Sequence, residues 1–276
     1  MPELPEVQTL VNDLNATGLV GSMITSARVY WPRTIATPSV RNFQKGIKAK
    51  SIAIIWRRGK FIVMDLTPDN HLLIHLRMSG RLHLVPPRTE RSPHEHVIFS
   101  FKDADELRFH DTRKFGRVFL VPDLTPVLGR LGLEPLESGF NIAALKASLT
   151  TRKRLLKPLL LDQTIIAGLG NIYVDEALWE AGLHPCRRSH TLSAPELNAL
   201  RRAIPRVLKR GLNNLGTTLG SGKANFYSIA RHQGRNQDQL QVFRRTGLPC
   251  PRCRHTIERI IVGQRSTHIC PKCQIC

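Results

Sequence analysis

No run in this sequence approaches the roughly 18 consecutive apolar residues of a membrane-spanning helix. The opening stretch MPELPEVQTL has neither the basic nor the apolar segment of a secretion signal. Both absences point to a soluble, cytosolic protein with no membrane partner. Acid is scarce: 21 Asp and Glu stand against 41 Lys and Arg, a formal net charge of +20. Such an excess repels itself and makes sense beside a polyanion. With membranes set aside, nucleic acid is the better partner, weighed against a basic surface that is merely solubilising. Cysteine is nearly absent from the first 249 residues, where only Cys186 occurs. No internal repeat or long low-complexity tract is present.

What remains is enough for two modest domains: 276 residues, 41% of them hydrophobic. Val7, Leu10, Val11 and Leu14 recur at helical spacing, with Pro5 near the first turn. Short strand-like runs follow at Ile52–Trp56, Phe61–Leu66, Leu72–Leu76, Val97–Phe101 and Val118–Val121, separated by turn residues. That spacing suits a sandwich or barrel over residues 1–130. Residues 131–140, with Gly132, Pro135 and Gly139, read as a linker. Helical patterns then cover Leu145–Leu149, Leu155–Leu161, Tyr173–Ala181 and Pro195–Leu215, in a domain over 141–241. Its last part, Gly216–Gln241, is polar and glycine-containing and reads as a mobile loop.

The remaining five cysteines lie between Cys250 and Cys276. Cys250-Pro-Arg-Cys253 and Cys270-Pro-Lys-Cys273, sixteen residues apart, are spaced to surround one tetrahedral Zn²⁺, each pair forming a knuckle. Four thiolates leave no open position for substrate, so the metal's role is structural. Cys186 and Cys276 fall outside the pattern. From Arg244 to Cys276 seven Lys or Arg face one acid, Glu258. A zinc finger over 242–276 with that bias suits phosphate binding, although a solvated basic face explains it equally well.

The chemistry is at the other end. A small residue at position 2 permits removal of Met1, leaving Pro2 as a secondary amine. An α-amino group titrates near pH 8, so part of it is neutral and nucleophilic at physiological pH. Glu3 is placed to move protons beside it. Taken alone, a Pro-Glu start is more often a frayed end.

MPELPEV, together with RRGKF at 57–61, HLRMSG at 75–80, DTRKFG at 111–116, GLGNIYVDEALWEAGLHP at 168–185 and QRSTHICPKCQ at 264–274, resembles the formamidopyrimidine-DNA glycosylase family, in order and almost end to end. The resemblance implies an α+β multidomain chain. Its parts are an N-terminal β-sandwich with an N-terminal helix, a helical domain with a helix-two-turn-helix motif, and the zinc finger, with damaged double-stranded DNA in the cleft between. It implies a bifunctional glycosylase/lyase of bacterial base excision repair that removes oxidised purines; for want of any oligomerisation signal, a monomer is the default expectation. Pro2 would attack the sugar C1′ and Glu3 would serve as acid and base. Lys60 matches the family lysine assigned to β-elimination and phosphate contact, and Arg265 the finger arginine assigned to δ-elimination. Asn171, in the two-turn element, would hold phosphate beside an extruded nucleotide, or serve only as a helix cap. His94 and Arg152 match DNA-contacting positions. Met78, Arg113 and Phe115 match the trio that fills the gap left by an extruded base; blandly read, the first and last are core residues.

Three departures stand out. Thr112 replaces a frequent proline, Lys114 a frequent arginine, and Gly220–Gln239 does not follow the loop that covers the base in relatives. Reaction type is therefore fixed more firmly than base preference. Two other readings compete. One is an endonuclease VIII-like enzyme for oxidised pyrimidines, disfavoured by the leucine in MPELPEV and by the Arg113–Phe115 pair. The other is a non-catalytic zinc-finger DNA-binding protein, which predicts loss of Pro2 or Glu3.

Overall fold

A computed structural model describes residues 2–219, 226–229 and 232–275. The chain forms two compact units: Met1–Gly129 with Leu215–Arg235, and Arg130–Asn214 with Asn236–Cys276.

The first is a sandwich unit. Helix α1 (Leu4–Ala16) buries Val7, Leu10, Val11 and Leu14, the periodic stripe read from sequence. Next come β1 (Ile24–Val29), β2 (Ile35–Thr37), α2 (Val40–Ile47), β3 (Ser51–Arg58), β4 (Phe61–Thr67), β5 (Asn70–His75), β6 (Gly80–Val85), β7 (Glu95–Phe101), β8 (Glu106–Asp111) and β9 (Arg117–Val121). One sheet has the order β2-β9-β5-β4-β3 and the other β1-β7-β8-β6. Their inner faces share one apolar core with α1, including Ile24, Phe43, Ile62, Ile74, Phe99 and Phe109. The short helix α3 (Thr125–Leu128) ends the first segment.

Each strand expected from the apolar runs is present. Strands β1, β2, β6 and β8 and helix α2 escaped the sequence reading. In β8 every second residue is polar and in β6 Arg81 and His83 interrupt the apolar residues, Arg81 paired to His110 and His83 to Arg108, so no continuous apolar run marks them. In α2 only Phe43 and Ile47 are buried, too few for a visible stripe.

The second, helical unit contains α4 (Ile142–Thr150), α5 (Leu156–Leu160), α6 (Asn171–Ala181), α7 (Ala194–Asn213) and the hairpin β10 (Glu258–Val262) and β11 (Arg265–Ile269). The boundaries differ from those read in sequence. Residues 131–140 are not a free linker: Gly132 and Leu133 donate backbone hydrogen bonds to Gln163 and Ile165, Ala167 donates to Leu133, and Glu134 is buried. Within the stretch expected to be loose, Thr217 and Thr218 are buried, Phe226 and Ile229 join the sandwich core, and Asn236–Gln239 forms a 3-10 turn. Residues 220–225, 230 and 231 of that stretch lie outside the described residues. Among the described residues no helix is long and apolar enough to cross a membrane.

Candidate active site

In the sandwich unit the N-terminus is a built feature. Glu3 caps α1 in a reciprocal box: its side chain accepts the Glu6 backbone N–H, while Glu6 Oε2 accepts the Glu3 N–H at 2.8 Å. Glu6 Oε1 also accepts the Thr217 N–H at 2.8 Å, fixing the helix start to the returning segment. Pro2 is buried and Glu3 is only 2% exposed. Two adjacent buried residues, Pro2 and Glu3, thus stand where a helix begins, and the positive end of its dipole favours the carboxylate.

Lys60 follows Gly59 in the two-residue turn joining β3 and β4, where Arg58 pairs with Phe61 and Gly59 takes φ 55°. Arg57 ties that turn to α1, donating from Nε to Gln8 Oε1 at 2.9 Å and from Nη1 to Gly59 O at 3.1 Å. Lys60 is 6% exposed. His75, opposite Phe61 in the register, packs edge-on against that ring at 4.6 Å. Burial, then the charges of Arg77 and Lys60, push its pKa down to about 3, so the imidazole is neutral at physiological pH.

Met78 and Phe115, which could equally have been core residues, are 42% and 46% exposed, and the Arg113 guanidinium lies 4.9 Å from the Phe115 ring centroid. The two turns that present them converge on Asp111, which is fully buried. Asp111 Oδ1 accepts from Ser79 Oγ at 2.5 Å and from Arg113 N at 3.1 Å, and Oδ2 from Gly116 N at 2.7 Å. A Cβ on Gly116 would come within 2.2 Å of the Phe109 ring, so only glycine lets the second turn close. Lys114, at φ 59°, places Nζ 4.0 Å over the Trp31 ring. His94 is exposed, its ring 5.6 Å from that of His110. The acid of DTRKFG was read as part of a motif without a role. The signal available was an aspartate opening a turn, which readily bonds backbone two residues on.

In the helical unit, the chain turns twice between α5 and α6. Asp162 accepts from Thr164 N and Oγ1, and Gln163 clamps the second turn, with Nε2 donating to Leu161 O and Leu169 O and Oε1 accepting Gly168 N. Asn171 opens α6. Its Nδ2 donates to Ser266 O at 2.9 Å and its Oδ1 is buried without a hydrogen-bond partner. Because Ser266 adjoins Arg265, Asn171 and the exposed Arg265 come to one place, across the tight turn Gly263-Gln264 with φ 55° and 61°.

Beneath them is a network the sequence reading missed. Lys157, fully buried, donates to Asp175 Oδ1 at 2.6 Å, to Thr267 Oγ1 at 2.8 Å and to Ser266 O at 2.9 Å. Asp175 Oδ2 accepts the His268 backbone N–H at 2.9 Å, and His268 Nδ1 lies 3.1 Å from the same oxygen. Glu176, also buried, accepts the backbone N–H groups of Gln241, Val242 and Phe243. Burial raises its pKa, opposed by those bonds and by Arg210. Arg152 is not gathered into this cluster by any described contact; it is exposed, just past the end of α4, and donates back to Ser148 O on that helix.

The four cysteines meet. Their Sγ atoms lie within 4.8 Å of one another, with Cys253–Cys270 at 3.4 Å and Cys250–Cys273 at 3.9 Å. Tetrahedral Zn–S bonds of about 2.3 Å require sulfurs about 3.8 Å apart, so the donor set fits one zinc ion. Trp179, Val242 and Ile257 pack around it, and Arg252 covers the Trp179 ring at 4.3 Å.

Three family models match along the chain. The formamidopyrimidine-DNA glycosylase N-terminal domain covers residues 1–118, the H2TH domain of that glycosylase 131–221, and the zinc finger found in FPG and IleRS 247–275. The formamidopyrimidine-DNA glycosylase of Protochlamydia amoebophila is 49% identical, with 99% of each chain covered. Lactococcus lactis Fpg, solved with DNA containing an abasic site, is 33% identical with a TM-score of 0.91, covering 99% of this chain and 100% of that one. MutM solved with DNA containing carbocyclic 8-oxo-G is 34% identical over the whole of both chains, also at a TM-score of 0.91. Matched from its capped N-terminus to its four-cysteine finger, this chain belongs to the formamidopyrimidine-DNA glycosylase family.

Proposed function

We propose that this protein excises oxidised purines from duplex DNA and then cuts the strand, with Pro2 as nucleophile. The observation that carries the reading is the burial of Pro2 and Glu3 side by side at the capped start of α1. Once Met1 is removed, the Pro2 nitrogen attacks C1′ of the damaged nucleotide. The C1′–N glycosidic bond breaks and the base leaves with a proton; the Pro2 nitrogen gives up its own proton, and protonation of O4′ breaks the C1′–O4′ bond, opening the sugar ring and leaving an iminium that links protein to sugar. That cation acidifies the 2′ hydrogens; loss of one expels the 3′-phosphate, and a second elimination expels the 5′-phosphate. Glu3 moves the protons at the sugar. Lys60, buried beside neutral His75, serves the first elimination and binds phosphate, and Arg265 the second.

Met78, Arg113 and Phe115 fill the emptied stack. His94 and Arg152 contact the backbone, and Asn171 holds phosphate at the start of α6. Zinc at Cys250, Cys253, Cys270 and Cys273 supplies no chemistry to the reaction; it closes the fold that carries Arg265. The sandwich unit is the catalytic part, and the helical unit carries the helix-two-turn-helix motif and, over 242–276, the finger. The protein acts as a monomer where chromosomal DNA is held, the bacterial cytosol.

Borohydride trapping on a duplex containing 8-oxoguanine tests this reading. The covalent adduct should form with the wild type and vanish in Pro2→Gly or when Met1 is retained, while DNA affinity persists. Undiminished trapping with Met1 in place would give the reaction to a lysine, and stronger trapping on oxidised pyrimidines would reassign the substrate.

A further inference from the structure

Helix α7 has a face that the proposed reaction does not use. Its inner side buries Leu197, Leu200, Ala203, Ile204, Val207 and Leu208. The opposite side lines an open groove of about 630 Å³ with Arg201, Arg202, Arg206, Lys209 and Arg210, and no acid lines it. Two of these cations are committed at their base: Arg206 pairs with Glu180 at 2.6 Å and Arg210 with Glu176 at 3.2 Å. Arg201, Arg202 and Lys209 make no hydrogen bond or ion pair among the described residues. Arg206 lies one turn from both Arg202 and Lys209, so like charges crowd this face at a cost, and no acid lines it in return.

The same ion pairs fix the direction of the stripe. Stepping from Glu176 to Glu180 along α6 moves from Arg210 back to Arg206 on α7, so the helices are antiparallel. The Lys209 end therefore lies toward Asn171, and the stripe leads from there along α6 toward its C-terminus. From residue 201 to 213 it runs about 18 Å at 1.5 Å per residue. Duplex DNA presents a phosphate every 3.4 Å per strand, so several could meet it.

We propose that the α7 stripe binds a second segment of undamaged duplex DNA while the first occupies the lesion site. Its occupant is recognised by backbone charge alone, with no base reading, and the face serves transfer of the enzyme between DNA segments. The proposal rests on the glycosylase reading for what fills the lesion site.

The test begins with full-length protein saturated by a short duplex carrying an abasic-site analogue. A second, labelled, undamaged duplex is then titrated across a salt series. The wild type should form a ternary complex, and Arg201→Gln/Arg202→Gln/Lys209→Gln should weaken it. The slope of log affinity against log salt should become shallower by up to roughly 2.7, at 0.9 per lost phosphate contact. Excision from a short lesion duplex should be unchanged in the same variant. The proposal fails if the wild type binds no second duplex, or if the variant loses affinity for the short lesion duplex equally. Binding of phosphatidylglycerol vesicles in place of DNA at this face would also overturn it. Absence of excision by the wild type, with the second duplex still bound, would instead sink the glycosylase reading alone.

Discussion

The two units solve the same problem, fixing a few functional side chains, by different means. In the sandwich unit an apolar core between two sheets and α1 supplies the stiffness, and single carboxylates aim the turns: Glu6 at the N-terminus, Asp111 behind Met78, Arg113 and Phe115. The finger has only a small cluster around Trp179, Val242 and Ile257. It is held instead by four thiolates, by the buried Lys157–Asp175 pair and by Glu176 under the chain entering it. Apolar packing degrades gradually when a group is removed. Buried charge does not, because the partner left behind is unsatisfied.

The sharpest way to break this contrast is to remove a thiolate. Cys253→Ala should release the metal and disorder the finger, since binding energy there is folding energy. Affinity for damaged DNA should fall by about 100-fold or more (some 2.7 kcal/mol or greater), while the sandwich unit keeps its own unfolding transition. Metal analysis and calorimetry check both halves; a full zinc complement in this variant would refute the ligand set.

Next in size is the buried pair. Asp175→Asn leaves the Lys157 ammonium without its counter-charge, and breaking such a pair costs about 3–5 kcal/mol. Urea unfolding should show that loss in the helical unit alone. Replacing both partners, Lys157→Met with Asp175→Leu, should recover a good part of it. If the double variant is no better than the single one, hydrogen bonding to Ser266 and Thr267 is the stabilising feature.

A smaller effect belongs to Arg113. Cytosine facing an emptied stack offers N3 and O2 as acceptors to a guanidinium, whereas adenine presents its N6 donor. The mismatch costs about 1–3 kcal/mol, roughly tenfold or more in rate. Single-turnover excision of 8-oxoguanine should be faster opposite cytosine than adenine, and Arg113→Ala should flatten that ratio. Asp111→Asn should flatten it too, since an amide cannot accept at both oxygen positions. A wild-type ratio in Arg113→Ala would remove Arg113 from the orphaned base.

What was legible in the sequence follows the same division. The α1 stripe, the apolar strands β3, β4, β5, β7 and β9, and helices α4 to α7 announced themselves through period, and the four cysteines through spacing. Strands β6 and β8 did not, because Arg81, His83, Arg108 and His110 alternate with their apolar residues. Arg108 is legible as structural only once Glu95 and Glu106 are seen beside it at 3.0 and 2.7 Å. Asp111, Lys157, Asp175 and Glu176 were hidden for a related reason. A buried charge is indistinguishable in sequence from an exposed one, since its partner is set by tertiary contact. Phe226 and Ile229, which pack in the sandwich core, are too isolated in sequence for periodicity to register.

Acid should separate the two units by the smallest margin, and the sign is set by which groups are buried in each. In the sandwich unit, His75 and His110 are held near about 3 and about 4, in both cases chiefly by burial, and His96 is lowered for the same reason. Unfolded, each would titrate near 6.5. The folded unit therefore resists proton uptake, so the stability from these neutral imidazoles is complete above pH 6.5 and is lost as pH falls toward the folded values. His75 is hemmed in by Phe61, Arg77 and Lys60, and its share at pH 5 is on the order of 1–2 kcal/mol. That corresponds to a fall of about 2–8 °C in the unfolding temperature of a unit this size. The helical unit carries one lowered histidine, His184, set against Glu176, whose raised pKa works in the opposite direction by favouring the fold as acid is added. Between pH 7 and pH 5 the sandwich transition should move down further than the helical one in a scanning calorimeter. His75→Gln should reduce that movement, because the titrating group is gone from both states. Equal shifts in the two transitions, or an undiminished shift in His75→Gln, would show that the buried imidazoles are not what makes the sandwich unit acid-sensitive.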